Sequence, residues 1–408
     1  MFIKTPIKGC CDYLPNEIKL REYVKSVIVD TYTKYGFTQI ETPIMEHISN
    51  LTNKQGGENE KLIFKILKRG EKLDLNVNDA NLLTDSGLRY DLTVPLARYY
   101  ANNANFLNAP FKALQIGPVF RADRPQKGRL RQFVQCDIDI LGEDSNIAEI
   151  DLIQAISEVL SKLKFKKFTI RINDRRILKA MALYAGFNDD DIDSVLISLD
   201  KLDKIGFEGV MDELINNGYA KENVEKYLEL FKNDRFDIKK FCDGFDIDDV
   251  VLNLVNIIDV VNSSEIEGLN LVFDPTLVRG MSYYTGPIFE ISLDGYNGSC
   301  GGGGRYDEMI SKFSNVSTSA CGFSIGFERI LLILQENNFK VEDESNKIAI
   351  IIDKDLSIDE IKDVYKKAKN LRNDNTVLVT YRKKNAKYQK EYLINNGYTI
   401  EEVFKKVI

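Results

Sequence analysis

Residues Phe120–Gly142 read FRADRPQKGRLRQFVQCDIDILG, and the alternation in their second half decides how the surrounding chain folds. Strand side chains point to opposite faces with period two, so Phe133, Gln135, Asp137 and Asp139 share one face, while Val134, Cys136, Ile138 and Ile140 share the other. One face is apolar; the other carries an amide and two carboxylates. Upstream, Ala113–Arg121 reads as a second strand. Ala122–Leu130 is then the connecting loop, with Pro125 and Gly128 as its turn residues. The loop gathers Arg121, Arg124, Lys127, Arg129 and Arg131. Guanidinium forks bind phosphate oxygens in pairs and carboxylates hold ammonium or N–H donors, so the hairpin suits a ligand with phosphates and an amine. Spacing alone also leaves open a solvated edge hairpin whose charges keep the chain in solution.

The composition bounds the classes that can follow. A chain of 408 residues exceeds what one compact core usually organises, which predicts two or three domains, and 44% apolar with 29% charged residues fits a globular protein. There is no apolar run of about 18 residues and no basic n-region followed by an apolar h-region, so neither a membrane span nor a secretory signal is expected, and the cytoplasm is the default location. Six scattered cysteines (Cys10, Cys11, Cys136, Cys242, Cys300, Cys321) without a C-x-x-C pair predict neither a disulfide framework nor a zinc site. A formal net charge of −7 confines any nucleic-acid contact to local basic patches. The single histidine, His47, excludes Ser-His-Asp and Cys-His chemistry unless it is itself the base, and no multi-histidine metal site is possible. Following an apolar stretch, it reads as structural.

Outward from the hairpin, Asn16–Tyr35 has helical apolar spacing after Pro15 and stops at Gly36. Phe37–Met45 reads as a strand with Pro43 near its end, and Leu62–Leu67 as another. Lys68–Asp85 is charged and reads as loop. In Gly87–Tyr100, Arg89 and Asp91 fall on one strand face before a helix beginning near Pro95; Asp91 and Thr93 are candidate ligands, with Asp91 equally readable as a helix cap. Asn146–Leu163 is helical and Lys167–Asn173 a strand. From Asp174 to Gly268 amphipathic helices replace strand signals. Strands return at Leu269–Phe273 and across Ile288–Leu293. Gly301–Gly304 permits close backbone approach or an unusual turn, without the spacing of a dinucleotide or triphosphate loop. Ala320–Gln335 turns from strand to helix at Phe327, placing Arg329 in the first turn. There the helix dipole opposes a cation unless an anion, a ligand or a neighbouring Asp, joins it. After the polar stretch Gln335–Asn346, a β-α-β-α order predicts a small α/β unit with a basic patch at Arg382, Lys383, Lys384, Lys387 and Lys390.

Taken together, these segments resemble the class II aminoacyl-tRNA synthetases, and specifically the histidyl-tRNA synthetase family. GCCDYLPNE at Gly9–Glu17 with its helix resembles motif 1, the Phe120–Gly142 hairpin motif 2, and GFSIGFERILLIL motif 3. RGMSYYTG (Arg279–Gly286) and GGGGRYD (Gly301–Asp307) are similar to the two histidine-specific signatures. The resemblance implies an antiparallel sheet flanked by helices, with a catalytic core over 1–173 and 268–337. It also implies a helical insertion over 174–267, a linker over 338–346 and a short α/β anticodon-binding-like domain over 347–408. It implies a homodimer acting on histidine, ATP with its Mg2+ and tRNA(His), with no metal site of the protein's own. By resemblance, Arg121, Arg129 and Arg329 meet the ATP phosphates. Arg279 sits between the amino-acid carboxylate and the α-phosphate and, with Arg121, carries catalysis. Asp91, Thr93 and Gln135 receive the amino group, Asp139 and Tyr284 address the imidazole, which needs one acceptor and one donor, and Tyr283 joins them in binding histidine.

Two departures accompany the match. Ser282 stands where many members have Asp in an R-G-x-D-Y-Y signature, and the C-terminal unit is shorter than the family's usual domain. A non-catalytic relative, the synthetase-like regulatory subunit of ATP phosphoribosyltransferase, resembles the same core. The presence of Arg121, Arg129, Arg131, Arg279 and Arg329 favours the enzyme.

Overall fold

The computed structural model describes residues 2–52, 59–77, 79–232, 237–278, 283–296, 298–314, 316–341 and 346–404. The chain forms two compact units, Met1–Phe339 and Lys340–Ile408.

The first unit opens with helix α1 (Pro15–Lys34), whose Pro15 occupies a position that needs no N–H partner and whose Glu17 carboxylate accepts the Leu14 N–H at 2.7 Å. Gly36, at φ +84°, turns the chain out of it. The expected strand over Phe37–Met45 is two short ones: β1 (Thr38–Gln39) and β2 (Met45–His47), which join different sheets. Pro43 has no N–H for a ladder and separates them. Helix α2 (Ile48–Thr52) follows, then β3 (Lys65–Leu67), shorter than the expected Leu62–Leu67 because a 3-10 turn occupies Asn59–Leu62. β4 (Thr84–Leu88) pairs with β2 and β3 in a small antiparallel sheet. β4 stops at Leu88, so Arg89 and Asp91 do not lie on a strand as expected, and helix α3 (Thr93–Asn103) starts at Thr93 rather than near Pro95.

The remaining strands build the platform. They are β5 (Phe111–Phe120), β6 (Gln132–Leu141), β7 (Phe168–Asp174), β8 (Leu269–Phe273), β9 (Pro287–Leu293), β10 (Ser299–Arg305) and β11 (Ala320–Gly326). Among the described residues one sheet runs β1-β5-β6-β11-β10-β9-β7-β8, antiparallel throughout except for the outer pairs β1–β5 and β7–β8. β6 is therefore interior, paired with β5 on one side and β11 on the other, and the reading of an exposed edge hairpin is wrong. Gly301–Gly304 lies within β10 in the middle of the sheet rather than in a turn. Helices α4 (Ile147–Lys162) and α12 (Phe327–Glu336) pack on β6 and β11, with α1 against both. Cys136, Ile138 and Ile140 are fully or almost fully buried.

Between β7 and β8 the described chain is wholly helical: α5 (Arg175–Ala185), α6 (Ile192–Leu199), α7 (Leu202–Asn216), α8 (Lys221–Glu229), α9 (Ile238–Phe241) and α10 (Asp248–Asn262). A short α11 (Glu308–Ser311) links β10 to β11. The second unit holds β12 (Asn346–Ile352), α13 (Ile358–Leu371), β13 (Asn375–Tyr381), α14 (Ala386–Asn395) and an unexpected third strand, β14 (Tyr398–Val403). β12 pairs in parallel with both β13 and β14 around Ile350, Ile352 and Val364. No described helix is long and apolar enough to cross a membrane.

Candidate active site

The polar face of β6 is buried despite its charge. Gln135, Asp137 and Asp139 are each no more than 9% exposed, and all three line one cavity of about 410 Å³. Register explains the room above them. Opposite these residues, β11 presents Gly326, Ser324 and Gly322 on the same face, a row of small residues facing a row of polar ones. Successive same-face residues are about 6.6 Å apart along a strand, so Gln135 and Asp139 are separated by roughly 13 Å. The cavity is thus an elongated trough with chemically distinct ends.

At the Gln135 end stand two arginines. The Arg121 guanidinium lies 4.2 Å from the Tyr90 ring centre and 5.2 Å from that of Phe133, and it donates to the Tyr90 carbonyl at 3.1 Å and to Gln135 Oε1 at 3.4 Å. Aromatic faces orient the cation without neutralising it. Arg329 sits in the first turn of α12 and donates to the Ser299 carbonyl. Among the described residues neither forms an ion pair with a carboxylate, so the neighbouring Asp considered for Arg329 is not there. Arg129 lines the cavity too, but is half-exposed and paired with Asp123 at 2.9 Å.

Carboxylates occupy the middle and the far end. Asp91 does both things its sequence allowed: Oδ1 accepts the Val94 N–H at 3.1 Å at the start of α3, while the buried Oδ2 has no hydrogen-bond partner. Burial pushes its pKa up, the Val94 N–H opposing. Asp139 Oδ1 accepts from the Tyr306 hydroxyl at 2.6 Å, and its Oδ2 is also buried without a partner. Burial, then the charge of Asp137, holds the Asp139 carboxyl well above its ordinary range. Asp137 is raised to about 7, chiefly by burial, with Asp91 adding to it and Ser324, Arg121 and Gln135 opposing. Tyr283 and Tyr284 lie with ring centres 4.6 Å apart, and Tyr283 is edge-on to Tyr306 at 6.1 Å. Thr93 completes the lining. Arg279 and Ser282 fall outside the described residues.

The family model described as histidyl-tRNA synthetase matches residues 9–330. The chain belongs to the histidyl-tRNA synthetase family. A protein of Leifsonia xyli subsp. xyli named histidine–tRNA ligase is 45% identical over 350 residues, spanning 81% of this chain and 80% of the relative. The crystal structure of histidyl-tRNA synthetase from Nostoc sp. PCC 7120 superposes with a TM-score of 0.80 at 26% identity, covering 99% of this chain and 92% of that one. A structure titled ATP phosphoribosyltransferase regulatory subunit/histidyl-tRNA synthetase, from Bacillus halodurans C, shares the fold with a TM-score of 0.79 at 19% identity, covering 100% of both chains. At that identity it speaks for the fold alone.

Within this histidyl-tRNA synthetase fold, every described residue proposed from the sequence for histidine or ATP lines the one cavity. Ser324 and Gly322 carry no role in the sequence expectations, and Asp137 only a shared one as a carboxylate of the polar β6 face. Their signal was the i, i+2, i+4 series Gly322-Ser324-Gly326 beside the polar alternation of β6. His47, expected to be structural, is exposed on β2 and takes no part in the cavity. In the second unit, the basic patch is partly neutralised: Arg382 and Lys390 both pair with Glu402, at 2.7 and 2.6 Å.

Proposed function

We propose that the chain is a histidine–tRNA ligase that first forms histidyl-adenylate from histidine and ATP and then passes the histidyl group to tRNA(His). The observation that carries this is the trough itself, with unpaired guanidinium groups at one end and unpartnered buried carboxylate oxygens along the rest. Such a trough is complementary to a zwitterion joined to a polyphosphate. Arg121 and Arg329 hold the ATP phosphates, with the positive end of the α12 dipole behind Arg329 and Arg129 at the rim. Asp91, Gln135 and Thr93 receive the ammonium group. Asp139 and the paired Tyr283 and Tyr284 supply an acceptor and a donor for the imidazole.

In the first step a histidine carboxylate oxygen attacks the α-phosphorus and pyrophosphate leaves. In the second a ribose hydroxyl of the tRNA end attacks the carbonyl and AMP leaves. Neither step needs a protein nucleophile; both need alignment and stabilisation of charge developing on phosphate oxygens, the role proposed for Arg121 and, by family resemblance, Arg279. Magnesium, as a companion of ATP, would offset the charge of the phosphates that Arg121 and Arg329 hold. The active species is a homodimer. Histidine-dependent exchange of labelled pyrophosphate into ATP tests the assignment. Exchange together with charging of tRNA(His) is expected, and absence of exchange in folded protein overturns it in favour of a regulatory relative.

A further inference from the structure

The Gln135 side chain is held between groups of opposite hydrogen-bonding character. Its Nε2 donates to Asp137 Oδ1 and Oδ2, at 3.3 and 3.2 Å, and to Ser324 Oγ at 3.2 Å, while its Oε1 accepts from Arg121 at 3.4 Å. A guanidinium can only donate and an ionised carboxylate can only accept, so the pair fixes which way the amide faces. Ser324 Oγ in turn donates to Asp137 Oδ1, directing the carboxylate toward Gln135 across the β6–β11 ladder.

From this geometry we infer that Asp137, braced by Ser324, is a positioning residue: it keeps the Gln135 amide oxygen presented to the histidine amino group and so sets affinity for histidine. The inference rests on the reading that Gln135 receives that amino group. An ammonium group needs acceptors, and an amide turned the other way would offer it N–H donors. Once protonated, Asp137 can itself donate to an amide oxygen, which permits the reversed orientation. The groups facing Asp137 are Gln115 from β5 and Arg121 at its end, Ser324 from β11, Asp91 and Arg89 from the segment before α3, and Gln135 and Asp139 along β6. Gln115 is occupied elsewhere, donating to the Leu92 carbonyl at 3.1 Å and accepting from Thr42 at 3.3 Å, so it does not compete for Gln135.

The experiment is the pH dependence of the histidine KM in pyrophosphate exchange, for wild type and for Gln135→Ala, Asp137→Asn and Ser324→Ala. Wild type should lose histidine affinity as pH falls through about 7, the value set by burial of Asp137. Asp137→Asn, which can donate or accept at any pH, should raise the histidine KM about tenfold at pH about 8, leave the ATP KM within about twofold, and lack that acid limb. Ser324→Ala removes a donor that favours the ionised carboxylate, so its acid limb should move to higher pH. The substrate's own titration is common to all four proteins and cancels in the comparison. If Gln135→Ala leaves the histidine KM unchanged, the reading of Gln135 falls. If Gln135→Ala raises it while Asp137→Asn and Ser324→Ala keep the wild-type KM and acid limb, the positioning role falls and the reading of Gln135 stands. Should Asp137→Asn fail to fold, the Ser324→Ala limb decides alone.

Discussion

Gly322 stands opposite Asp139 on β11, and a Cβ placed on it would overlap Asp139 Oδ1 and come within 3.1 Å of the Tyr306 ring. The carboxylate cannot simply swing away, because Tyr306 holds the same oxygen at 2.6 Å. Gly322→Ala should therefore displace Asp139 while leaving the backbone in place: the histidine KM rises about tenfold, with the ATP KM within about twofold, in pyrophosphate exchange. A second consequence concerns stability. Asp137 has an ordinary aspartate pKa when unfolded and one of about 7 when folded, so the native state binds a proton that the unfolded state has released between those values. Stability contributed by this group is thus lost as pH rises from about 4 to about 7, the reverse of a salt-bridged carboxylate. Asp137→Asn removes that loss. Its melting temperature should exceed the wild-type value by more at pH about 8 than at pH about 5, by the equivalent of a few kcal/mol. The positioning role proposed for Asp137 accounts for keeping in the trough a group that costs the resting protein stability.

Strand β10 shows how a run that reads as a turn becomes the middle of a sheet. A Cβ on Gly303 would overlap the Gly322 carbonyl and come within 2.7 Å of the Phe323 Cα, both backbone atoms of β11, so the two strands approach more closely than side chains allow. Gly303→Ala must push β10 and β11 apart, and a loss of about 3 kcal/mol in urea unfolding is expected together with impaired activity. Elements with periodic burial are legible in the sequence: α1, α4, β5, β6, β8 and α12 lie within a residue or two of their predicted spans. Residues whose environment comes from distant chain were not. Glycine gives no periodic signal, so β10 was invisible until β9 and β11 flanked it. Phe37–Met45 has the composition of one strand, but Pro43 divides it between two sheets. Asp91 is legible as cap or ligand but not as both, because only the fold shows one oxygen held by the α3 amide and the other buried without a partner beside the trough that Asp91 lines. The polar face of β6 was legible; its burial required knowing that β11 carries small residues at the same register.

The division into two compact units predicts separable tasks. Met1–Phe339 holds every described residue of the trough and its sheet, whereas Lys340–Ile408 has its own parallel sheet and apolar core around Ile350 and Val364. No described residue lining the trough comes from the second unit. Activation of histidine should then be a property of the first unit, and the second should serve the only partner large enough to reach beyond the trough, the tRNA. Among the cations of the second unit's basic patch, Arg382 and Lys390 are engaged with Glu402, which leaves Lys383, Lys384 and Lys387 for phosphate contacts on a chain whose formal net charge of −7 otherwise repels nucleic acid. Deletion after Phe339 should keep pyrophosphate exchange within about threefold of the intact chain, since no described trough residue lies in the tail. Charging of tRNA(His) at limiting tRNA should fall by about tenfold or more, because a second binding module tethered to the first contributes through effective concentration. The charging defect should narrow as tRNA is raised, as expected for lost binding rather than lost chemistry. Equal losses in exchange and charging would mean instead that the second unit supports the catalytic one.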